Sequence, residues 1–548
     1  MLIPHEIAGQ SDDCHACYST ANASHRRASE RYLDLACRQF PVLGNAIRNH
    51  GNRSLCEYLD LIQPSDIRPL QPIEDLLAVA EDYARSLLGE TIARRLATDL
   101  ERSPMILTAN HHGIAYFAQD FQGNLIFSLN RKGEGTDLRT VPVFACGTVP
   151  LDNLTYPLGM LCYQALETGL DSIPNKIPIF SNKMRRQMVS SAKPFKMDMI
   201  HRAKKRLRKM IRDRILPVSV EPSIIALLEK EYARSDVLDL PTYSQQSVVM
   251  NHALWNRIFK APKRFPDLVV LELEKVAMAL LEKDLRDHNS LAHCVMFDPE
   301  LRRNVFTNLD GSRACWQTSA LLRRLHADDT AGNWKDMPCS CGTMLFWGLD
   351  ARGRRVPLYL ETDSGNAALL RGIDDRGNVL EMPFSIDAIL EALSSNTILP
   401  SVFTSLLVIS LARGVTCVGG YFQCEYLPSM QAGLVKALND TGGYDDAARK
   451  VSMVPTAVYL SGMIAVMHRW QNGGLVPAGP LEMIAGGGLD EADIRRMQSM
   501  SVKDAHMCAL SETIQDFPPA VKQLCSGSWR DDVAEDNASL LSGRIVLK

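Results

Sequence analysis

The spacing of apolar residues along the chain changes several times, and each change predicts a change of secondary structure. Residues 20–102 repeat apolar positions at steps of three and four with charged residues between them, as amphipathic helices do, and Pro104 ends the pattern. Helical spacing returns over about 196–290 and again from 386 to about 520. These three stretches predict a mostly helical protein.

Two stretches between the helical blocks have the pattern of β-structure. Residues 105–182 and 291–385 contain short apolar runs broken by Gly, Pro and Asn. In "MLFWGLDARGRRVPLYLE" and "ALLRGIDDRGNVLEMPF", Asp and Gly stand between two apolar arms. This predicts a β-hairpin in each, because Gly supplies the positive φ that the turn needs. "FAQDFQGNLIFSL" has the same form, so a hairpin is predicted there too.

The fold class that these patterns predict is α+β, mostly helical, with two β-rich patches that contain hairpins. A chain of 548 residues is long enough for more than one domain. The changes of pattern predict five regions: a helical N-terminal region (1–103), an α/β region (104–220), a helical segment (221–290), a β-rich region (291–400) and a helical C-terminal region with a polar tail (401–548).

Composition is that of an ordinary globular protein. Hydrophobic residues make up 46% and charged residues 22%, so the chain can bury a large core. The formal net charge of −3 gives no reason to expect a polyanionic partner for the chain as a whole. Residues 1–30 lack the apolar stretch of a secretory signal, and the most apolar run, 398–412, is short for a membrane span. We therefore expect a soluble, cytoplasmic protein without a transmembrane segment.

The sequence "NHHG" at the end of the apolar run 105–109 is the first candidate for chemistry. Loops at the carboxyl ends of strands often carry active sites in α/β proteins. His111 and His112 suit a general base or a metal ligand, because imidazole titrates near neutral pH and binds metals when neutral. In an extended backbone their side chains point to opposite faces, so we expect one ring in the cleft and the other packed into the fold. Asn110, just before them, is predicted to bind substrate.

Cys315 is the second candidate. In "DGSRACWQTSALLRRL" it falls at the predicted start of a helix, where free backbone amides and the helix dipole lower the pKa of a thiol. The Cys-Trp pair followed by "SALL" resembles the start of the nucleophile helix in papain-like and transglutaminase-like enzymes. This short resemblance implies a cysteine nucleophile, although the glutamine and glycine that lead into that cysteine are missing here. The alternative is a small buried thiol beside a core Trp.

A basic segment over residues 183–214 is the third candidate. It holds thirteen Lys or Arg residues against two Asp, with apolar residues at helical spacing beneath the charge. Such a helix suits phosphates, an acidic carrier protein, RNA or an anionic membrane surface, or it is simply a solvated face neutralised by acids elsewhere. The cluster of Lys204, Lys205 and Arg206 is therefore predicted to help bind an anionic substrate.

Two further segments carry polar residues that suit a site. In "LYLETDSGN", Glu361 and Asp363 share one side of a strand end, where paired carboxylates hold a divalent cation, act as a base or simply cap a turn. In "GVTCVGGYFQCEYLPSMQ", two glycines precede Tyr421, and Gln423 and Glu425 follow. Such a mixture lines pockets, because Gly allows a close backbone approach. We assign the carboxylates to catalysis and the second group to substrate binding.

These candidates together predict an enzyme of small-molecule metabolism that performs hydrolysis or group transfer at a carbonyl of an anionic or carrier-bound substrate. His111 or His112 is the expected base or metal ligand, Glu361 or Asp363 its charged counterpart, and a divalent metal the cofactor these residues suggest. Two alternatives stay open. One is a hydrolase or acyltransferase that depends on Cys315, and the other is a non-enzymatic protein that binds an acidic partner or RNA through the basic segment.

Overall fold

The computed structural model describes residues 27–64, 68–129, 138–164, 174–326, 341–362, 368–470, 473–540 and 545–547. The helices are α1 (Ala28–Gln39), α2 (Pro41–His50), α3 (Leu55–Leu61), α4 (Glu74–Leu88), α5 (Glu90–Arg102), α6 (Ala118–Phe127), α7 (Met197–Arg212), α8 (Glu221–Leu227), α9 (Ser235–Leu238), α10 (Tyr243–Arg257), α11 (Leu273–Asp284), α12 (Leu291–Phe297), α13 (Pro299–Leu309), α14 (Thr318–Leu325), α15 (Ile386–Ser394), α16 (Val402–Leu406), α17 (Gln423–Thr441), α18 (Asp445–Ser452), α19 (Pro480–Ala485), α20 (Glu491–Ser499), α21 (Val502–Thr513), α22 (Pro519–Lys522) and α23 (Trp529–Leu540). The strands are β1 (Met105–Leu107), β2 (Thr140–Ala145), β3 (Gly159–Cys162), β4 (Asn175–Pro178), β5 (Asp267–Glu272), β6 (Phe346–Leu349), β7 (Arg355–Pro357), β8 (Tyr359–Glu361), β9 (Leu369–Ile373), β10 (Val379–Pro383), β11 (Ile398–Pro400), β12 (Thr416–Gly420), β13 (Tyr459–Ser461), β14 (Val466–Arg469), β15 (Leu475–Pro477) and β16 (Ile545–Leu547). With 54% helix and 15% strand, the predicted α+β class is confirmed.

A five-stranded parallel sheet forms the centre of the fold, in the order β13-β12-β1-β2-β5. The sheet grows from β1 outwards in one direction through β2 and β5, and in the other through β12 and β13. This is the strand order of a doubly wound α/β sheet. The direction of winding therefore reverses between β1 and β12, where such sheets leave a crevice at their carboxyl edge.

Alternate residues of the central strands face two different hydrophobic cores. In β1, Leu107 belongs to one core and Ile106 to the other, and Val270 and Val269 of β5 divide in the same way. Helix α6 contributes to the first core and α5 to the second. Because side chains alternate across a strand, helices cover both faces of the sheet.

Burial on both faces explains why the sequence patterns did not identify the central sheet. Strand β5 lies inside the predicted helical block 196–290, since a short apolar run that is buried on both sides has no strand-like alternation. The strands of this one sheet come from three of the predicted regions, 104–220, 221–290 and 401–548.

Two of the three predicted hairpins are confirmed. Strands β6 and β7 pair antiparallel, and so do β9 and β10. The side chain of Asp350 accepts hydrogen bonds from the backbone of Arg352 and Arg354, both 2.8 Å long, and Gly353 has a φ of 68°. The turn chemistry read from the sequence is therefore present in the structure.

Two other β-predictions were wrong in detail. The segment "FAQDFQGNLIFSL" forms helix α6, whose residues from Phe121 to Phe127 are all buried, so it has no polar face to show a helical period. Residues 291–325 form α12, α13 and α14, so the strands of the second β-rich patch begin only at Phe346. The apolar run 398–412 contains β11, α16 and a buried π-helical turn. No described helix combines the length and apolarity that a membrane span requires.

Candidate functional site

A pocket of about 850 Å³ opens at the carboxyl edge of the parallel sheet. Thr108 and Asn110 follow β1, Tyr421 and Gln423 follow β12, and Ser461 ends β13, and all five line the pocket. The pocket therefore lies at the point where the winding of the sheet reverses. Open α/β sheets bind their ligands at this position.

Five of the residues singled out in the sequence meet in this pocket although they are far apart in the chain. They are Asn110, His111, Cys315, Tyr421 and Gln423. The amide of Gln423 donates a hydrogen bond of 2.7 Å to the hydroxyl of Thr108, which joins the ends of β12 and β1 at the pocket floor. Asn110 is only 3% exposed, and its side-chain oxygen has no hydrogen-bond partner in the described part of the chain. A buried acceptor of this kind is available to a ligand.

The two histidines separate as expected for neighbours in an extended backbone. The amide of Cys146 donates to the carbonyl of Asn110 (3.0 Å), and the amide of His112 donates to the carbonyl of Cys146 (2.7 Å). His111 lines the pocket, whereas His112 is buried with Nε2 2.9 Å from the hydroxyl of Ser244. The rings diverge, so the structure does not bring them together as two ligands of one metal ion, and a metal-ligand role for either ring stays a prediction. No three His, Cys, Asp or Glu side chains are grouped for metal binding in the described ranges.

His111 is a neutral ring at physiological pH. Burial lowers the pKa of His111 to about 4, because it disfavours the charged form of the ring, and the positive charge of the nearby Arg355 acts in the same direction. Burial also lowers the pKa of His112. A neutral imidazole donates a hydrogen bond with one nitrogen and accepts with the other, so His111 can orient a polar group in the pocket.

Asp120 is a functional candidate that the sequence patterns missed. It lies in the first turn of α6, lines the pocket and accepts a hydrogen bond from the hydroxyl of Thr155. Burial raises the pKa of Asp120 to about 7, and the nearby negative charge of Asp516 acts in the same direction. The segment "DFQGN" was interpreted as a turn, whereas recognition of a helix would have placed this carboxyl on its first turn.

Two more carboxyls lie close to Asp120. Asp516 lines the pocket and accepts a hydrogen bond from the hydroxyl of Tyr421, and burial raises its pKa. Glu512 is buried and is not part of the described pocket lining, and burial followed by the charge of Asp516 raises its pKa to about 7. Burial is thus the first cause of a raised pKa in all three carboxyls, and it favours the protonated form of each.

Arg355 gives the pocket a cationic wall. It donates a hydrogen bond of 3.1 Å to the carbonyl of Thr148, and its guanidinium carbon lies 4.6 Å from the ring centre of Trp347. No carboxylate pairs with Arg355 among the described residues. Arg313, also in the lining, stacks on Phe422 at 4.0 Å and is already paired with an acid. Arg355 is therefore a fixed cation that is available to an anionic ligand.

Cys315 lies in the pocket, but its environment fits a buried thiol beside a core Trp and not an activated nucleophile. Helix α14 begins at Thr318 with Gln317 as its N-cap, so the thiol lies outside the first turn. Cys315 is buried, and burial raises its pKa to about 12. A thiol in such surroundings is protonated at neutral pH and is a weak nucleophile.

Glu361, one of the two predicted catalytic carboxylates, does not reach the pocket. Glu361 is in β8 and forms a cross-strand ion pair of 3.6 Å with Arg371 of β9. It is not part of the pocket lining. Asp363 lies outside the described residues. Glu425 is not in the described pocket lining, but it pairs at 3.0 Å with Arg313, which is.

The basic cluster lies on a different surface. The segment forms α7, whose apolar stripe of Ile200, Ala203, Leu207 and Met210 is buried as the pattern predicted. Lys204 pairs with Glu229 at 2.9 Å, while Lys205 and Arg206 are exposed. None of these three cations lines the pocket, so they do not bind a substrate held there.

Comparisons with known proteins leave the site to be interpreted from its own chemistry. No protein-family model, curated protein or solved structure gave a significant match to this chain.

Proposed function

We propose that this protein is an enzyme that catalyses hydrolysis or group transfer at a carbonyl of a small anionic substrate, by general acid–base catalysis in the pocket at the carboxyl edge of the sheet. The observation that carries this proposal is Asp120, a pocket carboxyl with a pKa of about 7. General acids and bases work best when their pKa lies near the working pH.

Asp120 takes the proton of the attacking water or alcohol and returns it to the leaving group. Its hydrogen bond from Thr155 orients the carboxyl, and Asp516 favours the protonated form once the proton has been taken. In lysozyme, likewise, burial raises the pKa of one active-site carboxyl so that it exchanges a proton, while a second carboxyl in a more polar environment stays ionised. In this proposal the base is Asp120 and not His111, because a ring with a pKa of about 4 is a weak base at neutral pH.

Arg355 anchors the negative group of the substrate. Its guanidinium is held by the Thr148 carbonyl and the Trp347 ring, so little side-chain entropy is lost on binding. His111 and Asn110, at the end of β1, then hydrogen-bond the polar atoms near the reacting carbonyl. The remaining lining is aromatic and amide-rich, as in pockets for small molecules.

The experiment is a turnover screen of the purified protein against carboxylate-bearing esters, thioesters and amides. We expect Asp120→Asn to lower kcat about 10²- to 10⁴-fold on any substrate that the protein turns over, the usual contribution of acid–base catalysis. Arg355→Gln should raise KM more than it lowers kcat. The matched control is Glu361→Gln, an acid outside the pocket, which should leave both constants within about twofold. Full turnover by Asp120→Asn would contradict the proposal.

A further inference from the structure

A second concave surface lies at the opposite edge of the central sheet, where β2 and β5 begin. This groove has a volume of about 660 Å³. Its charged lining residues are Arg94, Arg95, Arg102, Arg139, Lys263 and Arg264, with Asp99 as the acid. Six cations against one carboxylate is a marked local excess in a chain whose net charge is −3.

Three of the six cations are already neutralised by acids near the groove. Arg94 pairs with Glu90 at 2.5 Å, Arg95 with Asp267 at 2.8 Å, and Arg264 with an acid of α20 at 2.7 Å. The other three form no ion pair within the described ranges: Arg102, Arg139 and Lys263. Of these, Arg102 acts on Asp99 through its charge: burial raises the pKa of Asp99, and the charge of Arg102 lowers it. All three are exposed, so their charges are available to a ligand.

The acid in the groove has a structural task. One oxygen of Asp99 accepts hydrogen bonds from the amide of Arg139 (2.8 Å) and from the amide and hydroxyl of Thr140 (both 2.7 Å). The carbonyl of Arg139 in turn accepts from the amide of Asp267 (2.8 Å). These bonds fix the backbone of Arg139 between α5 and β5, so the groove is organised before any ligand arrives.

We propose that this groove binds a small anion that carries two or more phosphate groups. Arg102 ends α5, Arg139 precedes β2 and Lys263 lies in the short turn 262–264, so these three cations come from three elements and converge on one concavity. Arg and Lys are the side chains that bind phosphate oxygens with strong, charge-assisted hydrogen bonds. A volume of about 660 Å³ is that of a small-molecule site.

The lining favours a small polyphosphate over a nucleic acid. Its aromatic residue, Phe265, is buried and stacked on Phe259 with ring centres 4.1 Å apart. Single-stranded nucleic acids are held by bases stacked on exposed aromatic faces, and the described lining of this groove offers none. The site is independent of the proposed function, because it lies at the opposite edge of the sheet from Asp120.

The test is calorimetric titration of the full chain with inorganic tripolyphosphate at physiological ionic strength. We expect saturable binding that the triple variant Arg102→Gln/Arg139→Gln/Lys263→Gln weakens at least about tenfold, since it removes several charge-assisted hydrogen bonds. The matched control, Lys205→Gln/Lys209→Gln/Arg212→Gln, removes three charges from the outer face of α7. It should change the affinity less than about twofold.

Four outcomes overturn the proposal. Wild-type protein that does not bind tripolyphosphate saturably has no such site. If both triple variants lose affinity for tripolyphosphate equally, the anion is attracted by the overall charge of the protein. If only the α7 variant loses affinity, the anion binds at α7 and not in the groove. A single-stranded RNA that binds more tightly than tripolyphosphate and competes with it identifies a nucleic-acid surface. Asp120→Asn should bind tripolyphosphate as wild type does, so failure of the proposed function is distinguishable from failure of this site.

Discussion

The replacement Asp120→Asn should make the stability of the protein less dependent on pH. Burial raises the pKa of Asp120 from 3.8 to about 7, so the folded protein holds this proton more tightly than the unfolded chain does. The stabilisation is therefore fully present below pH 3.8 and is lost as the pH rises to about 7. Asparagine imitates the protonated carboxyl at every pH, so the variant escapes this loss.

The magnitude follows from the pKa of Asp120 in the folded and in the unfolded protein. A tenfold change in the acid dissociation constant corresponds to about 1.4 kcal/mol, so a pKa raised from 3.8 to about 7 has an upper limit of about 4 kcal/mol. Asp120 faces the pocket, where solvent screens its charge, which reduces the expected effect to about 2–4 kcal/mol. We expect the free energy of unfolding of Asp120→Asn, relative to wild type, to increase by this amount between pH 4 and pH 8.

Urea unfolding monitored by tryptophan fluorescence at a series of pH values measures this difference. Potentiometric titration of the two folded proteins provides an independent reading: wild type should release one more proton with a midpoint near pH 7. The control is Asp446→Asn, because Arg and Lys neighbours lower the pKa of this exposed acid. The ionised carboxylate of Asp446 stabilises the folded protein at neutral pH, and this stabilisation is lost only in acid. Identical pH dependence of wild type and Asp120→Asn would refute the assigned pKa.

Three further predictions each concern a single residue. Arg413 is fully buried and donates two hydrogen bonds to Asp284, 2.7 and 3.0 Å long. Arg413→Met leaves the buried carboxylate unpaired, so it should lower the free energy of unfolding in urea by about 3–5 kcal/mol. A decrease below about 1 kcal/mol would contradict this. The buried thiol of Cys315 should resist alkylation by iodoacetamide in the native protein, which peptide mass spectrometry measures. Cys315→Ala should keep any activity that the wild type shows. Rapid alkylation of Cys315 would instead support the nucleophile hypothesis. Gly342→Ala should lower the free energy of unfolding by at least about 2 kcal/mol. The reason is that Gly342 has a φ of 68° and that the added Cβ would lie 1.8 Å from the carbonyl oxygen of Cys315. A variant with the thermal stability of the wild type would contradict this.

The parts of the fold that were predicted correctly depend on neighbours in sequence. The hairpin β6–β7 was identified because Asp350 and Gly353 form its turn within a few residues of each other. The central sheet was not identified, because Leu107 pairs with Val418 and with Val143 across long stretches of chain. No local pattern encodes such partners, and two-sided burial removes the alternation that marks other strands.

The candidate site divides in the same way. The local sequence marks Asn110, His111, Tyr421 and Gln423 because polar residues follow apolar runs there, and all four line the pocket. The raised pKa of Asp120 comes from burial and from the neighbouring charge of Asp516, which only the tertiary structure supplies. Glu361 failed as a candidate for the corresponding reason, since its partner across the sheet is an arginine that the local pattern did not reveal.

Anion binding and proton binding in the pocket must be linked. A carboxylate or phosphate bound at Arg355 adds negative charge to a cavity that already contains Asp120 and Asp516, and this favours the protonated form of both acids. By reciprocity, ionisation of Asp120 above pH 7 weakens binding of the anion. The substrate itself therefore raises the pKa of the group proposed to react with it. The pH optimum of kcat should therefore lie above the pKa that Asp120 has in the free enzyme. The affinity for the substrate should decrease over the same range of pH.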